Sequence, residues 1–130
     1  MKQVIESNQV VKTKGPYVQG VALSKGRMIL TSGVVARDVN GWIVGQNDIR
    51  AQTRQCIENI RHIIEAGGGT LKDLAKVTVY LTSLSDYEGM NAVRREMLGE
   101  VAFASTTVEA RVNAADALVE IEAIAFVSDR

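Results

Sequence analysis

Two glutamates near the C-terminal end of the chain are the first candidates for chemistry. Glu120 and Glu122 lie two residues apart in a segment that alternates like a β-strand, so their carboxylates project from the same face. Carboxylates among apolar neighbours tend to have a raised pKa, which suits general acid or base catalysis near neutral pH. Glutamates on a strand are more often simply solvated, so the pair alone indicates catalysis only weakly.

Two turns supply further candidate groups. Tyr17 follows Pro16, the only proline of the chain, and the fixed φ of proline sets the backbone that presents the tyrosine ring. Ser32 and Gly33 follow a predicted strand and can offer a hydroxyl and a backbone amide to a small polar ligand. The alternatives are a packing anchor for Tyr17 and an ordinary strand-terminating turn for Ser32 and Gly33.

The sequence gives little support to metal or thiol chemistry. Cys56 and His62 are the only cysteine and the only histidine, so a metal cluster is not expected. Both lie on one predicted helix, six residues and about 9 Å apart along its axis, which is too far for a nucleophilic Cys-His pair. We therefore predict no metal site.

Composition argues against several classes of protein. Fifteen Lys plus Arg balance fifteen Asp plus Glu among the 130 residues, so the formal net charge is zero, and no basic field gathers nucleic acid. One cysteine forms no intrachain disulfide, and no apolar run approaches the length of a membrane span. The N-terminal segment lacks the apolar stretch of a signal peptide. We expect a single soluble, cytoplasmic domain over residues 1–130, with neither nucleic acid nor membrane as partner.

The clearest predicted element is a helix over residues 48–66, where apolar residues recur at spacings of three and four. Its predicted buried stripe consists of Ile49, Cys56, Ile57, Ile60, Ile63 and Ile64. Asn47 or Asp48 can cap its start, and the glycines at 67–69 can end it because glycine adopts the left-handed conformation.

A second helix is predicted to begin at Ser85, which forms a capping-box pattern with Glu88, and to stop near Gly99. Its predicted inward residues are Tyr87, Met90, Val93, Met97 and Leu98.

The remaining periodic segments alternate with period two and predict strands. They are residues 27–32, 76–82, 106–112 and 118–127, with a weaker candidate at 18–23 and a predicted hairpin loop at 113–116. This order predicts an α+β sandwich, one mixed sheet covered on one face by two helices. The other face of the last strand is too apolar to be fully solvated, which predicts an oligomer.

Four segments resemble the Rid family of reactive intermediate deaminases, also called YjgF, in order and spacing across nearly the whole chain. They are Gly15-Pro16-Tyr17-Val18-Gln19-Gly20, Ile29-Leu30-Thr31-Ser32-Gly33, Gln52-Thr53-Arg54-Gln55 with Glu58-Asn59-Ile60, and Val119-Glu120-Ile121-Glu122-Ala123-Ile124-Ala125. The resemblance implies a chorismate-mutase-like fold and a homotrimer with clefts between subunits. It also implies cofactor-free hydrolysis of an enamine or imine to a keto acid and ammonia.

The resemblance also implies roles for individual residues. Glu120 matches the acidic residue that handles water or a proton, and Asn91 matches an asparagine on the second helix. Tyr17, Ser32 and Gly33 match residues that line the cleft.

Two positions on the penultimate strand depart from the family pattern. Archetypal members carry an arginine at the start of the penultimate strand, where its planar fork binds the substrate carboxylate. This chain has Ser105 there, and Thr107 stands two residues later in place of a cysteine. We therefore expect Ser105 and Thr107 to replace the charged anchor with neutral hydrogen bonds.

Three functions compete at this level. The first is an imine or enamine deaminase with altered specificity, favoured because Glu120, Tyr17, Ser32 and Asn91 are retained. The second is a member of the same family that binds a small metabolite without turnover. The third is the ribonuclease activity attached to some members, which the neutral charge disfavours.

Overall fold

The computed structural model describes residues 1–129, which form six strands and two α-helices. The strands are β1 (Lys2–Ile5), β2 (Gly20–Leu23), β3 (Gly26–Leu30), β4 (Leu74–Leu81), β5 (Ala104–Glu109) and β6 (Val119–Ser128). The helices are α1 (Ile49–Ala66) and α2 (Tyr87–Leu98), and short 3-10 turns span Leu71–Asp73 and Leu84–Asp86.

Four strands form one mixed sheet in the order β3-β6-β4-β5. β6 is antiparallel to both β3 and β4, whereas β4 and β5 are parallel. Parallel neighbours need a crossover connection, and α2 lies in the connection between β4 and β5. The predicted hairpin at 113–116 is therefore wrong, because β4 lies between β5 and β6.

Both helices pack on the same sheet face, as predicted for an α+β sandwich. On β6 the alternate residues Val119, Ile121, Ala123 and Ala125 are buried beneath the helices. Glu120, Glu122 and Ile124 project from the other side of the sheet, here called the open face, and are half-buried. The alternation of the sequence thus assigned the two faces of β6 correctly.

Helix α1 is capped much as its sequence predicts. Asp48 Oδ1 accepts a hydrogen bond from the Ala51 amide at 3.1 Å, and Gly68 adopts a left-handed φ of 90° beyond the C-terminus. The predicted stripe has one error, because Ile63 is 39% exposed. Gln52 and Thr53 are instead buried on this helix. The prediction missed them because it counted only apolar residues and both are polar.

Helix α2 begins differently from the prediction. The Ser83 side chain accepts a hydrogen bond from the Ser85 amide at 3.3 Å, which caps the preceding 3-10 turn. The capping box of Ser85 and Glu88 is therefore wrong, and α2 starts at Tyr87 without a side-chain cap. The helix does end at Leu98, before Gly99.

A small ribbon of two antiparallel strands, β1 and β2, lies outside the main sheet. The sequence analysis missed β1, since its residues are mostly exposed and show no alternation of burial. Among residues 1–129, no helix combines the length and the apolar character needed to cross a membrane.

Candidate functional site

The sequence-predicted site residues fall into two groups on opposite sides of the main sheet. Ser105 pairs in register with Val77, which pairs with Ala123 on the helix-covered face. Glu120 is three residues from Ala123 and therefore points to the open face. A single protomer does not unite these groups.

The open-face group places Gly33 directly against Glu120. A Cβ atom on Gly33 would lie 2.9 Å from both Cδ and Oε2 of Glu120, so a side chain at this position would displace the carboxylate. The turn is held by Val34, whose backbone forms a bridge to Ile121 beside Glu120. Ser32 precedes Gly33 and is exposed. The Ser-Gly turn and the carboxylate therefore form one small surface.

The carboxylate of Glu122, which projects from the same face, already accepts a hydrogen bond. The Tyr80 hydroxyl donates a hydrogen bond to Glu122 Oε1. This bond is the main reason why the pKa of Tyr80 is raised, and burial adds to the rise. Glu122 is thus hydrogen-bonded to a residue of the neighbouring strand β4. Glu120 is the carboxylate that lies against the Ser-Gly turn.

The second group gathers around Arg94, a residue that the sequence analysis did not single out. Arg94 Nε and Nη2 donate to Asn91 Oδ1 at 3.1 and 2.8 Å, and Nη1 donates to Ser105 Oγ at 2.7 Å. The guanidinium carbon lies 5.8 Å from the ring centroid of Tyr17 and 5.7 Å from that of Phe103. Three predicted site residues therefore converge on one arginine.

Arg94 is fully buried within the protomer, at 0% exposure. Burial lowers its pKa to about 10, because desolvation disfavours the charged form, and the guanidinium remains protonated at neutral pH. A signal in the sequence was present: Arg94 lies four residues from both Met90 and Leu98, and so on the apolar stripe of α2.

Tyr17 is placed by the turn that precedes it. A Cβ atom on Gly15 would lie 2.2 Å from Tyr17 Cε1, so the ring folds back over a residue that must lack a side chain. The Val18 amide donates to the Phe103 carbonyl at 2.9 Å, which ties the turn to the start of β5. Burial raises the pKa of Tyr17, Tyr87 adds to the rise, and Arg94 opposes it.

The remaining candidates have less defined surroundings. Thr107 lies on the same face of β5 as Ser105 and is half-buried. Cys56 is buried in the core, and its Sγ lies 3.6 Å from the Val34 carbonyl oxygen. Among residues 1–129, no group of three or more His, Cys, Asp or Glu side chains could hold a metal ion.

Comparison with known proteins shows which family the chain belongs to. The family model described as Endoribonuclease L-PSP matches residues 7–127. A RutC family protein of Pyrococcus horikoshii is 41% identical over 97% of this chain and 98% of its own length. A 2-iminobutanoate/2-iminopropanoate deaminase of Salmonella typhimurium is 38% identical over 96% of this chain and 98% of its own length.

A third relative and a solved structure agree with this. The 3-aminoacrylate deaminase RutC of Acinetobacter baylyi is 32% identical over 97% of this chain and 98% of its own length. The crystal structure of the YjgF gene product of Escherichia coli is 35% identical, covers 95% of this chain and 98% of that one, and superposes with a TM-score of 0.70.

Proposed function

Because this chain belongs to the endoribonuclease L-PSP family, which includes the Rid and RutC proteins, we propose that it is a cofactor-free imine or enamine deaminase. Its substrates are small reactive intermediates of amino-acid or related nitrogen metabolism. The observation that carries this proposal is the match, over 96% of the chain, to a relative named as a 2-iminobutanoate/2-iminopropanoate deaminase. The net charge of zero gives no support to RNA as the substrate.

The proposed reaction adds water across a C=N bond. Water attacks the imine carbon and gives up one proton, and the imine nitrogen gains one proton, which forms a carbinolamine. The nitrogen then takes a second proton, the C–N bond breaks, ammonia leaves, and the hydroxyl loses its proton to become the carbonyl of the keto acid. An enamine enters the same route after protonation at carbon. The reaction needs one group that takes and returns protons.

We assign that role to Glu120, since its carboxylate faces the open side of the sheet beside Gly33. Ser32 and Gly33 offer polar groups to the substrate or to the attacking water, Tyr17 lines the cleft, and the buried Asn91 holds Arg94 behind it. Because position 105 is a serine, the substrate is held differently from that of members with an arginine there, and Ser105 and Thr107 contribute neutral hydrogen bonds.

The proposed active unit is a homotrimer whose clefts lie between subunits. Within one protomer the Glu120 and Ser105 groups lie on opposite faces of the sheet, so a neighbouring copy is needed to join them. The open face also exposes Met28 and Leu30, at 51% and 64%, and apolar side chains of this size are typical of a buried interface.

The test is hydrolysis of an imine generated in place. A dehydratase supplies 2-iminopropanoate, and release of the keto acid is measured above the uncatalysed rate. We expect the wild type to accelerate release, and Glu120→Gln to lower kcat/KM by about 100-fold or more, because a positioned acid or base contributes about 10²–10⁴ in rate.

Glu122→Gln is the matched comparison, because it makes the same change two residues along the same strand. It should keep most of the activity, since Glu122 is engaged by Tyr80. Equal losses in both variants would remove the special role of Glu120. If the wild type produced no acceleration while still binding the keto acid, the protein would be a metabolite-binding member of the family.

A further inference from the structure

The candidate site contains a buried positive charge without a negative partner. Arg94 is 0% exposed, and its side chain donates to an amide oxygen and a hydroxyl. Within residues 1–129, no carboxylate lies within ion-pair distance of it. Burying a guanidinium is costly unless its charge is compensated.

The surroundings of Arg94 hold the charge in place without neutralising it. Asn91 Oδ1 accepts from two nitrogens of the fork, and the rings of Tyr17 and Phe103 lie within 6 Å of the guanidinium carbon. Such contacts stabilise a cation over an aromatic face. Together with the bond from Nη1 to Ser105 Oγ, these bonds use three of the five N–H groups that an arginine carries, which leaves one N–H on Nη1 and one on Nη2.

Two of the side chains that cover the guanidinium are partly exposed. Ser105 and Tyr17 are both half-buried, whereas Asn91 and Phe103 are buried. A ligand that reaches Ser105 therefore lies one side chain away from Arg94, whose Nη1 is 2.7 Å from Ser105 Oγ.

We propose that Arg94 is the specificity-determining residue of the site and that it binds the carboxylate of a small 2-imino acid next to Ser105. The positive charge of the site is thus supplied from helix α2, beside Ser105 on β5. Ser105 holds Nη1 in the free protein, and its hydroxyl turns to donate to the carboxylate when the ligand binds. This inference rests on the proposed function, and it restricts the substrates to anionic imines.

The test measures binding without turnover. Pyruvate, a stable keto acid, and its uncharged amide are titrated by calorimetry into the wild type, Arg94→Gln and Arg95→Gln. Arg95 is the matched control, because it is the adjacent residue on α2 and is exposed. We expect Arg94→Gln to weaken pyruvate binding by about 30-fold or more, the loss typical of truncating a buried charged partner. Amide binding should be unchanged, and Arg95→Gln should behave as the wild type.

A second measurement needs no substitution at the buried position. The Nε resonance of Arg94 in the wild type should shift on addition of pyruvate and not on addition of the amide. Equal affinity of the wild type for pyruvate and amide, no binding of pyruvate, or undiminished binding by a folded Arg94→Gln would each overturn the inference.

Imine hydrolysis measured in parallel separates the two proposals. Turnover that depends on Glu120 together with pyruvate binding independent of Arg94 would leave the deaminase intact and remove the role of Arg94. Pyruvate binding that depends on Arg94 without turnover would do the reverse.

Discussion

Two charged side chains of this protein occupy contrasting environments. Glu120 projects from the open face against a glycine turn, whereas Arg94 is sealed beneath Tyr17 and Ser105. A group that exchanges protons with water needs access to it, and a group that only fixes an anion gains strength from exclusion of water. The two environments fit the two roles proposed here.

A third residue, Cys56, gives a prediction about pH. Burial, with a smaller effect of the Glu120 charge, raises the pKa of the Cys56 thiol from 9.0 to about 12. Below about pH 9 the thiol is protonated in both the folded and the unfolded chain, and the free energy of unfolding has its full value. Above that pH the thiol ionises first in the unfolded chain, so the free energy of unfolding falls. We expect the free energy of unfolding of the wild type to fall by about 1.4 kcal/mol more than that of Cys56→Ala between pH 7 and pH 10.

Urea unfolding of both proteins at the two pH values measures this difference, and the variant cancels the effects of other titrating groups. An identical fall in the two proteins would show that the thiol ionises as readily in the fold as in the unfolded chain.

At the level of elements, helix α1 does more than cover the sheet. Gln52 Nε2 donates to the carbonyl oxygens of Gly45 and Asp116 at 3.1 and 3.0 Å, and its Oε1 accepts from the Leu118 amide at 2.8 Å. This one buried side chain joins the loop before α1 to the loop that leads into β6. It therefore sets the start of the strand that carries Glu120.

We expect Gln52→Leu to lower the free energy of unfolding by about 1–3 kcal/mol, because it removes the hydrogen-bond partner of three backbone groups that are partly buried. Chemical denaturation provides the measurement. Gln55→Leu, on the same helix, is the control and should cost less than about 1 kcal/mol, since Gln55 bonds only Asn59 within the helix. Equal costs in the two variants would mean that the three bonds of Gln52 contribute nothing particular.

At the level of the whole molecule, the open face of the sheet is unusual for a surface. Leu30 pairs in register with Ile124 and is 64% exposed, and it borders a depression of about 280 Å³ that reaches Glu122. The helices cover only the opposite face. In the proposed trimer, we expect a second and third copy of the chain to bury this surface and to bring the Glu120 group of one subunit towards the Arg94 group of another.

We expect the wild type to have a solution mass near that of three 14.1 kDa chains, and Leu30→Asp to dissociate it, because a charge on this face opposes burial. Size-exclusion chromatography with light scattering measures the mass. Val39→Asp is the control, since Val39 is fully exposed and lies beside His62 and Ile63 on the helix side. A monomeric wild type, or an undissociated Leu30→Asp, would contradict the trimer.

Much of the fold is predicted correctly from local sequence patterns. Periodicity located α1 and α2 and the two faces of β6, because amphipathic elements repeat their burial at fixed spacing. It failed where burial did not alternate, as in the exposed β1, and where a buried residue was polar, as with Gln52. The prediction of a hairpin at 113–116 is wrong because the strands that pair with each other depend on the order of the whole sheet.

The amino-acid sequence defines which residue types are available to the site: a carboxylate at Glu120, a Ser-Gly turn, an aromatic turn at Tyr17 and a serine at 105. Which of these groups meet depends on the fold. It separated Glu120 from Ser105 on opposite sheet faces and brought Arg94 to Ser105 across the boundary between helix and strand. Periodicity defines the face on which a side chain lies, whereas contact between distant segments depends on strand order and on how the helices pack on the sheet.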